Sequence, residues 1–418
     1  MDPTEMDTEM EMGINPFKAK SPNRHRSSLE GMMILPAGTP ALLPDDTRAQ
    51  AKARLYHILE NLEAPAGAAA ASNQRPRQGY NRPALVRLTY EYTISDQSKS
   101  LFLTSFFESL ALPLDGNVTD ADIDFENTEV AAGLGTSVDA FAEYLMNNFF
   151  LPLKAASNKT PQPSPITHSA IQRAQGSSLP QSFVGTPDRV SALRGLCLVR
   201  DHHCCVISRK FDITEARKRL KAATRDPALD DDGLPLSSHE FAHLEVAHIL
   251  PHSLAKSSSN SLLDPARKAA LDVLNMFDPG VVHLIEGAEI DRPYNAISLT
   301  QHLHSEFGSF QIFFEPVDSR PPHTYRINGF DPLVDQTQGL PVIRTLHLAQ
   351  DKTIDPPSSR LLAIHRAIAH ILHLSGAGDY IDWVLRDAEE NGVRSDGSTA
   401  LGLLVSARLS LGGIGAGA

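Results

Sequence analysis

Cysteine is scarce in this chain. Only Cys197, Cys204 and Cys205 occur among 418 residues. So few clustered thiols cannot build a disulfide framework, and with no second pair a structural zinc knuckle is not expected. The usage fits a reducing, intracellular compartment, nuclear or cytoplasmic. Long apolar runs are missing too: none reaches the ~18 residues a membrane span needs. A secretory leader is basic and then apolar, whereas Met1-Asp-Pro-Thr-Glu-Met-Asp-Thr-Glu-Met-Glu-Met12 is acidic, so no leader is expected. Aromatics are only 6% against 29 prolines and 26 glycines, which predicts that part of the chain stays outside any packed core. Basic charge is in deficit, with a formal net charge of −12. That argues against a general nucleic-acid binder, although a local basic groove is compatible with an acidic surface.

What is present suffices for two or three domains at the usual ~100–200 residues each. Residues 1–45 read as a disordered acidic and polar tail, with a small basic cluster at Lys18, Lys20, Arg24 and Arg26. Residues 46–153 read as a helical N-terminal region. Helices are expected at Thr47 to Leu62, Ser98 to Leu110 and Ser137 to Leu153, with a linker from Ala64 to Pro83. Their apolar faces are packing surfaces rather than binding stripes. A Ser/Pro-rich linker follows at 154–187, and then the character changes. Over 188–330 short strands alternate with helices. A helix is expected from Val190 to Asp201, a strand-like run at Cys204 to Ser208 and a charged excursion from Arg217 to Pro235. Strands are expected at Leu244 to Leu250 and Ala296 to Leu299, and helices at Leu262 to Phe277 and Gln301 to Phe307. Two further strands fall at Gln311 to Phe314 and Tyr325 to Ile327. Residues 331–390 form a C-terminal helical extension, broken at Ser375-Gly-Ala-Gly378, and 391–418 a flexible tail.

Two separated stretches carry chemistry: Leu244-Glu-Val-Ala-His-Ile-Leu-Pro251, and Asn295-Ala-Ile-Ser-Leu-Thr-Gln-His-Leu-His304-Ser-Glu-Phe307. Hydrolysing a phosphodiester takes a base to activate water and a divalent cation to neutralise charge on the phosphate. A neutral histidine suits the first task because its ordinary pKa lies near 6.5. His248 falls where a strand ends and its ring can reach past the sheet. A strand, a turn and the first turn of a helix fill the interval from Asn295 to His304. This unit can bring Asn295 beside the His248 strand and offer the His304 ring to a metal. Imidazole suits Mn²⁺, Ni²⁺ or Zn²⁺ somewhat better than Mg²⁺, so the ion stays open. His302, two positions from His304, cannot share its helix face.

Together with Arg200-Asp-His-His-Cys-Cys-Val-Ile-Ser208, these stretches resemble HNH endonucleases, most nearly the fungal HNH-domain proteins. The similarity extends to a helical segment like Leu271-Asp-Val-Leu-Asn-Met-Phe277 and to a C-terminal helix like the run from Leu361 to Asp382, so that it covers roughly 190–390. The resemblance implies an α+β fold with a ββα-metal finger embedded among helices, and an HNH domain at 188–330. It also implies metal-dependent hydrolysis of nucleic acid, DNA before RNA. His248 would be the general base, Asn295 would brace the hairpin and that base, and His304 would bind Mg²⁺ or Mn²⁺, with Ni²⁺ or Zn²⁺ as alternatives.

Two positions depart from the family pattern. Many of its enzymes carry an acid directly before the first His, here Ala247, and an Asp after the Phe that follows the last His, here Gly308. Glu245 can substitute as a metal ligand, although strand alternation points it away from the His248 face. A catalytically silent domain that binds nucleic acid or a protein is therefore a competing expectation. A third is suggested by His239-Glu-Phe-Ala-His243, which matches the zinc-protease pattern HExxH. It lacks the metzincin extension, because Val246 and Ile249 stand where Gly and a third His belong, and the next Glu after Glu245 is Glu286. Cys205 is expected to pack under the hairpin.

Overall fold

A computed structural model describes residues 42–63, 79–157, 186–223, 226–255, 265–318, 320–348 and 353–391. Most of the N-terminal tail, the middle of the Ser/Pro-rich segment and nearly all of the C-terminal tail lie outside the described residues. The architecture mixes helices with small sheets, an α+β arrangement. No described helix is long and apolar enough to cross a membrane.

The first helices are α1 (Asp45–Glu63), α2 (Arg82–Glu91), α3 (Asp96–Leu110) and α4 (Thr128–Leu145). One wide turn, Met146–Phe150, leads from α4 into α5 (Leu151–Ser157). Their starts are written locally. Asn81 accepts from the Ala84 amide, Ser95 from that of Ser98, and Asn127 from those of Glu129 and Val130, each satisfying a donor that a helix start leaves open. Helix α2 begins where a linker through Pro83 was expected. Proline in a first turn costs nothing, since that N–H has no helical partner.

The remaining elements are α6 (Thr186–Arg200), β1 (Phe211–Asp212), α7 (Ile213–Ala222), β2 (Phe241–Ala242), β3 (Leu244–His248), α8 (Pro265–Phe277) and β4 (Ala296–Thr300). After them come α9 (Gln301–Gly308), β5 (Ile312–Pro316), β6 (Thr324–Gly329), α10 (Pro332–Gln338), β7 (Val342–Thr345), α11 (Ser359–Leu374) and α12 (Ala377–Asn391). Strands β5, β6 and β7 form an antiparallel meander. Its third strand was not foreseen, because Val342–Thr345 is short and half exposed and carries little apolar signal.

Two expectations need correction. Cys204 to Ser208 is no strand. Cys204 makes a single bridge to Phe211, and His202, His203 and Arg209 take left-handed φ values of 53°, 54° and 63°, curling the backbone into a knuckle. The charged excursion from Arg217 begins inside a helix, α7, whose cap Asp212 accepts from Thr214 and Glu215.

Strands β3 and β4 pair antiparallel, Leu244 opposite Thr300 and His248 opposite Ala296. Helix α6 covers one face of this ribbon, where Leu193 and Cys197 meet Val246 and Ala296, and α9 packs against both strands as well. With both faces covered, the strands read as near-continuous apolar runs rather than alternating ones. Elsewhere α8 joins the N-terminal helices. The Ile94 amide and the Ser98 hydroxyl both donate to the Phe277 carbonyl, and Phe149 stacks on Phe277 at 5.6 Å.

Candidate active site

Asn295 sits at the start of β4 and is fully buried. Its main-chain carbonyl accepts from Ile249 at 2.8 Å. Its side chain accepts from the Leu250 amide at 2.9 Å and donates to the carbonyls of Leu250 and Ile290 at 3.1 and 3.0 Å. One amide side chain thus ties the chain just after His248 to the loop before β4. Beside it, the fully buried Arg200 donates to both carboxylate oxygens of Asp201 and to the carbonyls of Pro293 and Ala296. Asp201 in turn accepts from the Ser298 amide at 3.1 Å. The end of α6 is thereby clamped to the outer edge of β4.

His248 shares its strand face with Val246, the face covered by α6. Its Nε2 lies 3.2 Å from Asp291 Oδ1, while its Nδ1 is buried and has no partner among the described residues. Asp291 also accepts from Arg189 on α6 at 3.1 Å and lies 3.5 Å from His252 Nε2. Burial alone would raise the Asp291 carboxyl, but hydrogen bonds and charge from His248 and His252 outweigh it and hold the group well below the ordinary carboxylate range. An ionised carboxylate can only accept, so the proton of a neutral His248 sits on Nε2, which leaves Nδ1 as the acceptor nitrogen of the ring. Burial pushes the His248 ring below its ordinary pKa. Asp291 works against that shift, and the charges of His252 and His304 add to it.

His304 lies on α9 and is nearly buried. Its Nδ1 is 2.7 Å from Glu245 Oε2. Strand alternation does set Glu245 on the face opposite His248, as expected, but that is the face on which His304 lies. The structure therefore brings His304 to Glu245 on one side of the ribbon and His248 to Asp291 on the other. Ala247 shares the Glu245 face and supplies no ligand atom, and Gly308 is a buried helix terminus. An imidazole nitrogen beside a half-buried carboxylate is a donor set that suits a divalent cation, with water and substrate oxygens completing the shell.

Residues 205–315 match the HNH endonuclease family model. The matched segment holds His248, Asn295 and His304 in order. No curated protein and no solved structure matches the chain.

Within the HNH segment the HExxH pattern has the wrong backbone. Metal binding by that motif needs one helix face, whereas Phe241–Ala242 is extended, His239 pairs with Asp230 at 2.8 Å and His243 is exposed. Cys205 is fully buried in the knuckle. All three cysteines are free thiols, and burial pushes Cys197 and Cys204 up to about 12, which leaves them poor thiolates. His302 is exposed on the far side of α9 from His304. Asp291 and Arg189 escaped the sequence reading because nothing local marks them. Asp291 is 43 positions from His248, in a short helical turn before Asn295.

Proposed function

We propose that this protein is a metal-dependent HNH endonuclease that hydrolyses phosphodiester bonds of nucleic acid, DNA in preference to RNA. The observation that carries the proposal is the setting of His248: Nε2 lies against the Asp291 carboxylate, Nδ1 is left as the acceptor nitrogen, and burial lowers the ring's pKa. Those are the requirements of a general base working near neutral pH. In this reading β3, β4 and α9 make the ββα-metal finger. Asn295 positions His248 by holding the strand end, and Asp291 sets its tautomer. His248 Nδ1 takes the proton of the attacking water, and the developing Nε2–H⁺ side is stabilised by Asp291. Glu245 and His304 would hold the metal, Mg²⁺ or Mn²⁺, with Ni²⁺ or Zn²⁺ also compatible with an imidazole donor. The cation supplies charge neutralisation at the phosphate and leaving oxygen. Arg189, on the Asp291 side, adds local positive charge to an otherwise acidic chain. The buried free thiols support a working place inside the cell, nucleus or cytoplasm.

One observation favours a second reading, an HNH-like domain that binds nucleic acid or a protein without cutting. Ala247 and Gly308 offer no ligand, so Glu245 and His304 provide only two protein donors. A plasmid assay separates the two. Purified protein with supercoiled DNA and Mg²⁺, Mn²⁺, Ni²⁺ or Zn²⁺ is expected to yield nicked and linear forms, with EDTA abolishing the reaction and structured RNA cut more slowly. Absence of cleavage with every metal, alongside a retained gel shift, would establish the binding module instead.

A further inference from the structure

Three consecutive aspartates in the loop before β2 each face a different histidine. Asp230 meets His239 at 2.8 Å, Asp231 meets His203 at 2.7 Å and Asp232 meets His202 at 2.9 Å. The first two pairs are closed by their surroundings. Asp231 also holds Arg219 at 2.7 Å, and the Asp230 side chain is buried against its own loop amides. The third is different. The His202 ring stacks on His347 with centroids 4.2 Å apart and planes 22° from parallel. One ligand atom each from His202, Asp232 and His347 lie within 4.8 Å of one another.

Three remote parts of the chain meet here, and the framework that joins them is specific. Arg209 in the knuckle donates to the Thr345 carbonyl at 2.7 Å, and Arg344 on β7 donates to the Ile207 carbonyl at 2.7 Å. These two bonds bring the exit of β7, and hence His347, against the end of α6. His202 and His203 both hold left-handed φ, a conformation that non-glycine residues rarely adopt, and this curl accompanies the turn of the His202 ring onto His347.

We propose that His202, Asp232 and His347 form a divalent-cation site of the zinc class, separate from the His248 and His304 region. Two imidazoles and one carboxylate are the donor set of a three-ligand zinc site, and ligand atoms around such an ion lie about 3.4 Å apart. Closing the present set to that spacing requires the two stacked rings to tilt out of parallel, because each donor lone pair lies in its own ring plane. Magnesium is disfavoured, because it prefers oxygen ligands in near-ideal octahedra. Asp232 and His347 also line a cleft of about 560 Å³, with Lys210, His239 and Glu240 on its walls. The fourth coordination position therefore opens to that cleft. The ion would clamp the aspartate loop and the β7 exit onto the knuckle that begins the HNH segment.

The test uses full-length protein stripped with EDTA, loaded with Zn²⁺, passed through gel filtration and analysed for bound zinc, with the thermal midpoint read in parallel. His304→Ala serves as the background that removes the other region. That variant is expected to retain one zinc and to melt higher with zinc than without. His347→Ala and Asp232→Asn are expected to lose that zinc, with affinity down by more than about a hundredfold, beyond the 10–100-fold that loss of a mere supporting partner costs. Asp232 is half exposed, so Asp232→Asn keeps the metal-free midpoint and remains informative if His347→Ala fails to fold. Zinc retained equally by Asp232→Asn and the parent, or by neither, would overturn the site.

Discussion

Replacing His248 with alanine is expected to lower the rate of DNA cleavage by about a hundredfold or more, the size typical of a positioned base. The variant isolates chemistry from folding better than most buried substitutions. Among the described residues His248 Nδ1 has no partner to lose, and the ring's polar contact at Nε2, Asp291, keeps Arg189 and His252 when the ring is gone. The carboxylate is thus not stranded without a counter-charge. The proposed metal residues His304 and Glu245 meet on the opposite face, so metal binding is expected to be unchanged and the loss to fall on the rate constant rather than on the metal concentration needed for half-maximal rate. Added imidazole, entering the space left by the ring, is expected to restore part of the rate. A loss accompanied by an equal fall in metal affinity would assign His248 to the metal instead.

The largest expected effect on stability belongs to Asp201. Arg200 and Asp201 are both fully buried, and burial alone would lower the Arg200 pKa. Its neighbour Asp201 more than offsets this and keeps the guanidinium charged. Asp201→Ala leaves that charge buried with only carbonyl acceptors and also strips the Ser298 amide of its partner. Breaking a buried pair in this way costs about 3–5 kcal/mol. Chemical denaturation of the variant should show a midpoint reduced accordingly. A change below about 1 kcal/mol would mean that the pair contributes to positioning alone, as many exposed pairs do. Cleavage is expected to fall with it, because Arg200 also holds the Pro293 and Ala296 carbonyls on either side of Asn295.

The sequence made the ribbon and its helix legible because that information is local. Apolar runs at 244–250 and 296–299 are short, β4 runs directly into α9 without the expected turn, and several helix starts elsewhere carry their own capping residues. His248, Asn295 and His304 could be named for the same reason: each stands in a fixed register within a short motif. Their partners could not be named. Asp291 reaches His248 only after the loop before β4 folds back, and Arg189 joins it from α6. Glu245 is the instructive case. Alternation correctly placed it opposite His248, but nothing in the spacing said that α9 would cover that side. Cys204 to Ser208, inside the knuckle, was misread as a strand because its β-branched and cysteine residues suit an extended chain. Histidines in left-handed conformations override that preference, and no sequence pattern announces them. The same distance problem hid the His202, Asp232 and His347 cluster, whose members lie on the end of α6, a loop and the exit of β7.

In the proposed mechanism a buried His248, held by Asp291, takes the proton in phosphodiester hydrolysis. The pH dependence of kcat/KM at saturating Mn²⁺ tests it most directly. A base must be deprotonated, so the rate rises with pH through the His248 pKa and is then level. Burial places that pKa below 6.5, so the acid limb is expected to centre below pH 6.5. Asp291 favours the protonated ring, so Asp291→Asn is expected to move the limb to still lower pH while reducing the plateau. A limb centred above pH 6.5, or one that Asp291→Asn leaves in place or moves upward, would contradict the assignment.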